Sequence, residues 1–173
     1  MSALFGLVLA SSSSAATDAG LPLPTDLQYW TPEVHDRFIA DTESNLGYIV
    51  HDDGQYTMFR IGSGKEKIVH YMGITYDAST PSDMWDVRST TTFNNDHITF
   101  GKTGVFLRLT RGGEETSYGI HATANIDDIL ASDDRYRSEG CILVGNDVLQ
   151  VLEKTYALNG NDLNVVTVHG LQM

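Results

Sequence analysis

The spacing of the β-prone runs constrains this chain most. Tyr48-Ile49-Val50 and Tyr56-Thr57-Met58-Phe59-Arg60-Ile61 stand on either side of the turn dipeptide Asp53-Gly54, and a third run, Ile68 to Ile74, follows Gly62 to Gly64. Short runs of β-branched and aromatic residues, each closed by glycine or aspartate, bury a face only by pairing with one another. The pattern predicts a meander of short strands. Downstream, His97 to Phe100, Val105 to Thr110 and Tyr118 to His121 read as further strands, turning at Gly101 to Gly104 and at Arg111-Gly112-Gly113. Ser82 to Asn95, rich in Ser, Thr, Asp and Asn, reads as a loop or an edge strand around Met84-Trp85-Asp86-Val87, and Leu163 to Val168 as a closing strand.

Helical periodicity is confined to the C-terminal part. Val148, Leu149, Val151, Leu152, Tyr156 and Leu158 recur at mostly helical spacing, with Asn146 or Asp147 to cap the helix and Asn159-Gly160 to stop it. A short helix near Ile126 to Leu130 fits the acidic segment Ala122 to Arg137, which reads as a surface wall. No internal repeat is present. The fold class is mainly β with one clear helix, and 173 residues with 41% apolar content suit a single globular unit over 25–173.

Residues 1–24 differ in composition. Ala3 to Ala10 is apolar, Ser11 to Ala16 is a run of small residues, and Thr17 to Pro24 is linker-like. This resembles the hydrophobic and cleavage regions of a secretory signal without its basic start, so the segment reads as a signal peptide truncated at its beginning or as a disordered tail. It is too short for a membrane span.

Net charge narrows the partners. At −12 the chain lacks the positive surface that nucleic acid or an anionic membrane requires. Arg108, Arg111, Arg135 and Arg137 nevertheless flank one stretch of sequence, which predicts a locally positive cleft suited to a substrate bearing carboxylates. The histidines at 35, 51, 70, 97 and 169 lack metal-ligand spacing and read as surface or strand residues. The aspartates of Ala122 to Arg137 lack the alternating pattern of a calcium loop. Trp30 and Trp85 read as packing residues.

That stretch holds the chemistry. Gly119-Ile120-His121-Ala122-Thr123 is followed by Ser138-Glu139-Gly140-Cys141-Ile142-Leu143, which contains the only cysteine of the chain. A lone thiol forms no internal disulfide, and read by itself it is a small buried hydrophobe. Together with an imidazole it makes a nucleophile and its base, because a thiol is mostly protonated at neutral pH until a neighbour takes the proton. Gly140, just before the cysteine, permits a sharp turn that directs backbone amides at a developing oxyanion.

These residues resemble the catalytic motif of the L,D-transpeptidase (YkuD-like) family: a histidine, a spacer, then Ser/Thr-His-Gly-Cys, a hydrophobic residue and Asn or Arg. Ser138 follows His121 by seventeen positions, and Ser138, Gly140, Cys141 and Ile142 fall on the pattern. The resemblance is specific over Tyr118 to Val144 and looser upstream, where Gln55 and Thr80-Pro81 are its counterparts. Two positions depart from it. Glu139 replaces the second histidine and sets a carboxylate beside the thiol, which disfavours a thiolate unless Arg135 or Arg137 holds it. Leu143 replaces Asn or Arg and removes a polar group that binds substrate or braces the loop.

The resemblance implies a YkuD-like β-sandwich or barrel, with the helix following the cysteine. It implies catalysis by Cys141, His121, Ala122 (through its carbonyl) and Gly140, with substrate contacts from Ser138 and Arg137, and with no metal or cofactor. It implies peptidoglycan stem peptides as the partner and an exported protein in the periplasm or cell wall. Transfer of the acyl group to an amine makes a transpeptidase, and transfer to water makes an L,D-carboxypeptidase. The competing class is a noncatalytic envelope-binding β domain, in which Glu139 and Leu143 mark lost activity. Papain-like and NlpC/P60-like peptidases place cysteine before histidine, the reverse of the order found here.

Overall fold

The computed structural model describes residues 27–71 and 73–171. The reading of 1–24 as a signal-like or disordered segment lies outside them. Among the described residues, twelve strands run as β1 (Arg37–Asp41), β2 (Leu46–Val50), β3 (Tyr56–Arg60), β4 (Ser63–Gly64), β5 (Ile68–Tyr71), β6 (Ile74–Asp77), β7 (Asp83–Thr92), β8 (Val105–Arg111), β9 (Glu114–His121), β10 (Tyr136–Ser138), β11 (Ile142–Leu143) and β12 (Leu163–Val168). The helices are α1 (His97–Phe100), α2 (Ile126–Ala131) and α3 (Asn146–Leu158), after a 3-10 turn at Leu27–Tyr29. Eight strands form one sheet in the order β11-β9-β8-β7-β12-β1-β2-β3.

The sheet curls until its ends meet. Gly62, just beyond edge strand β3, exchanges two backbone hydrogen bonds of 2.8 Å with Leu143 of the opposite edge strand β11. Closure of this kind removes exposed edges and encloses a core. Phe38, Ile49, Val87, Leu107, Leu109, Ile120, Ile142 and Val165 fill that core, and α3 covers it with Val148, Leu149, Val151 and Leu152. The result is a mainly β molecule of sandwich-like form, in agreement with the fold class read from the sequence.

Five local expectations are corrected. Ile68 to Ile74 is not one strand: the chain turns back at Gly73 and pairs β5 with β6 as a separate two-stranded sheet. Ser82 to Asn95 is not a loop or edge. It contains the ten-residue β7, seated between β8 and β12, where Val87 and Trp85 face the core and Ser and Thr face outward. His97 to Phe100 is helical, because the Asp96 carboxylate accepts the Thr99 amide at 3.0 Å and caps a turn. Gly145, rather than Asn146 or Asp147, occupies the N-cap position of α3. His51 is buried and bonds Asp36 at 2.5 Å beneath Trp30, so it is not a surface residue. Strand β1, an interior strand, had no sequence reading.

Candidate active site

Strand register builds the site. β8 and β9 are antiparallel with Phe106 opposite His121 and Arg108 opposite Gly119, while β9 and β11 are parallel with Leu143 opposite His121. Side chains alternate between faces. Leu107, Leu109, Ile120 and Ile142 therefore enter the core, and Phe106, Arg108, Gly119, His121, Cys141 and Leu143 share the opposite face. Cys141 lies one residue before β11, level with Gly119 and diagonal to His121. Both side chains line one open groove of about 900 Å³.

Gly119 lets the Phe106 ring lie against β9. A Cβ there would run into that ring.

His121 ends β9, as the sequence suggested, and its ring is buried against Phe100 and Phe106. Nδ1 donates to the Ala122 carbonyl at 2.7 Å. A carbonyl only accepts, so Nδ1 carries the proton and Nε2 keeps a lone pair. Burial lowers the pKa of this histidine, and the Ala122 and Thr99 carbonyls oppose the shift only in part. At neutral pH the ring is an uncharged base.

Cys141 is half-buried at the groove wall. Burial pushes its pKa up to about 11, although the Gly119 amide and the Arg108 charge pull the other way. The resting pair is thus a neutral thiol and a neutral imidazole rather than an ion pair. The thiol hydrogen points toward the Ser117 carbonyl, 4.0 Å from the sulfur.

The loop before Cys141 is tied at several points. Ser138 donates its hydroxyl to the Cys141 carbonyl at 2.6 Å and accepts the Gly140 amide at 3.0 Å. Thr80 donates to the Gly140 carbonyl at 3.0 Å and accepts the Gly64 amide at 2.9 Å. Gly140 has φ of +114°, and a Cβ there would lie 2.5 Å from the Tyr118 ring. With its amide bonded to Ser138, Gly140 has no donor to offer an oxyanion. The Cys141 amide makes no hydrogen bond to another described residue and stays available.

The two departures find structural explanations. Glu139 is held by Lys65 and by the Tyr76 hydroxyl at 3.0 Å, not by Arg135 or Arg137, and the Lys65 bond lowers its pKa. Its charge is neutralised at its own position. Leu143 packs with Ile126 and Ile129 and provides the backbone that closes the sheet. Arg108 and Arg137 line the groove, while Arg111 pairs with Asp83 and Arg135 bonds the Ser44 and Ser132 carbonyls. Two of the four arginines thus belong to the cleft.

An aromatic wall has no counterpart in the sequence reading. Phe93 and Phe100 stack at 4.1 Å, and Phe106 meets both edge-on. Ile98 and Phe100 reach the groove because residues 97–100 form a helix. The detectable signal was Asp96 three residues before Thr99, a capping pattern.

No protein-family model and no curated protein sequence matches the chain. Solved structures do. The L,D-transpeptidase of Xylanimonas cellulosilytica is similar with a TM-score of 0.56 and 20% identity, over 80% of this chain and 62% of that one. Bd1075 of Bdellovibrio bacteriovorus is similar with a TM-score of 0.57 and 17% identity, over 80% of this chain and 49% of that one. The described chain has the fold of a YkuD-like L,D-transpeptidase domain and spans less than two thirds of the length of either neighbour.

Proposed function

We propose that this protein is a cysteine acyltransferase of the L,D-transpeptidase type, acting on peptidoglycan stem peptides. The observation that carries the reading is the shared face of His121 and Cys141 in one open groove, with the imidazole tautomer set by the Ala122 carbonyl. As the sulfur attacks the carbonyl between the third and fourth residues of a donor stem, Nε2 of His121 removes its proton. Because both groups begin neutral, proton transfer accompanies attack and no stored thiolate is needed.

The Cys141 amide stabilises the oxyanion. His121 returns the proton to the departing D-amino acid, leaving a thioester on Cys141. A side-chain amine of a second stem displaces the sulfur and forms a cross-link, and water in its place gives carboxypeptidase activity. Arg137, at the groove rim, meets substrate carboxylates. Ser138 holds the loop, since its hydroxyl is committed to the backbone. The chemistry requires neither metal nor organic cofactor.

The neutralised Glu139 and the structural role of Leu143 favour this reading over a noncatalytic binding domain. On the same reading the protein works outside the cytoplasm, in the periplasm or cell wall. Among the described residues no helix is long and apolar enough to cross a membrane. The test is incubation with a synthetic tetrapeptide stem and a labelled D-amino acid. Release or exchange of the terminal residue, lost in Cys141→Ala and reduced about 10²-fold or more in His121→Gln, is the expected outcome. Absence of release and exchange in the wild type refutes it.

A further inference from the structure

The groove holds an arginine that the reaction as described leaves unused. Arg108 projects from β8 on the face that carries His121 and Cys141, directly opposite Gly119, and Gly119 is level with Cys141 on its other side. Register thus sets a guanidinium and a thiol on either side of Gly119, over which the Phe106 ring lies, in one groove. Arg108 is anchored there: Nη1 donates to the Thr116 carbonyl at 2.6 Å, Nε lies 3.8 Å from Glu115, and the guanidinium sits 5.0 Å from the centre of the Phe106 ring. Nη2 has no hydrogen-bond partner among the described residues.

We infer that Arg108 is the cation of the reaction site, lining the same groove as Cys141 and stabilising the negative charge that the sulfur carries as it attacks. The inference rests on Cys141 being the nucleophile. The physical need is plain: a thiol shielded from solvent ionises with difficulty, and an opposite charge within reach is one of the few remedies. Arg108 is also the cationic side chain whose charge bears on the sulfur, easing its ionisation against the effect of burial. Arg137 is turned to Asp134, which it contacts through both Nη2 and Nε. Arg108 is a positioning residue by this account, acting through the sulfur.

The test reads the thiol without any peptide. Initial rates of Cys141 alkylation by iodoacetamide are measured at a fixed pH of about 9 for the wild type, Arg108→Gln, Arg108→Lys and Arg111→Gln. Loss of the Arg108 charge, shifting the thiol by about one unit, leaves about ten-fold fewer thiolates, partly offset by the greater nucleophilicity of each, for a net slowing of about three-fold. Arg108→Lys should fall between Arg108→Gln and the wild type. Arg111→Gln removes the same net charge from the same strand outside the groove and should match the wild type. Arg108→Met, which keeps an apolar stem over Phe106, replaces Arg108→Gln if the latter does not fold.

An unchanged rate in Arg108→Gln or Arg108→Met, or an equal slowing in Arg111→Gln, overturns the inference. The nucleophile assignment stands apart from this result. It fails if wild-type Cys141 alkylates yet Cys141→Ala retains turnover of the stem peptide, whatever the Arg108 variants do.

Discussion

His121 donates its Nδ1 hydrogen to the Ala122 carbonyl, so any further proton must settle on Nε2, the nitrogen that acts as base in the proposed reaction. Burial sets the pH at which this happens, holding the imidazole below its ordinary pKa. Activity should therefore persist through neutral pH and fall on an acid limb lying below about 6.5, the value of an unperturbed histidine. A pH profile of stem-peptide kcat/KM measures the limb, and a limb above that value contradicts the account. The same shift has a stability consequence. A histidine whose folded pKa is depressed binds protons better unfolded, so its contribution is present above about 6.5 and is lost as pH falls through the folded value. Urea melts of the wild type and His121→Gln across this window should show the wild type losing stability on acidification and the variant losing less.

The loop from Ser138 to Cys141 is the element on which the proposed nucleophile depends. Gly140→Ala places a side chain in a backbone region that costs about 1–3 kcal/mol for most residues and against the Tyr118 ring. The loop must shift to relieve it. At least a ten-fold loss of turnover with an unchanged far-UV circular dichroism spectrum is the expected result, and full activity would show that the loop geometry is not required. Ser138→Ala removes two hydrogen bonds from the same loop and should act in the same direction. Much of this element was legible in sequence, because Ser138, Gly140 and Cys141 each carry a local chemical requirement. The fate of Glu139 was not, since Lys65 reaches it from a distant part of the chain. Helix α1 reads as a strand in sequence for a related reason: His-Ile-Thr-Phe has strand-like composition, and one Asp96 cap outweighs it.

At the scale of the molecule, the curled sheet and α3 form one core, and the site lies on the sheet's other face. Leu149 is fully buried between α3 and that sheet, so Leu149→Ala should destabilise the fold by about 2–5 kcal/mol in urea unfolding. A loss below about 1 kcal/mol would place α3 outside the cooperative unit. Strand content and the helix at Asn146–Leu158 were readable from period and turn residues, whereas strand order was not. Interior β7 reads in sequence as a loop or an edge strand because its outward face is Ser- and Thr-rich, and only its pairing with β8 and β12 shows that the other face is buried. Closure through Gly62 and Leu143 joins residues far apart in sequence, and no local pattern announces it.

The central claim is that Cys141 carries an acyl group during turnover. Intact-protein mass measurement after brief incubation with a thiol-directed β-lactam, such as a carbapenem, tests it most directly. The account predicts a mass increase of one acyl adduct, mapped to the peptide containing Cys141 and missing in Cys141→Ala. An unmodified wild-type protein, or an adduct that survives in Cys141→Ala, would contradict it.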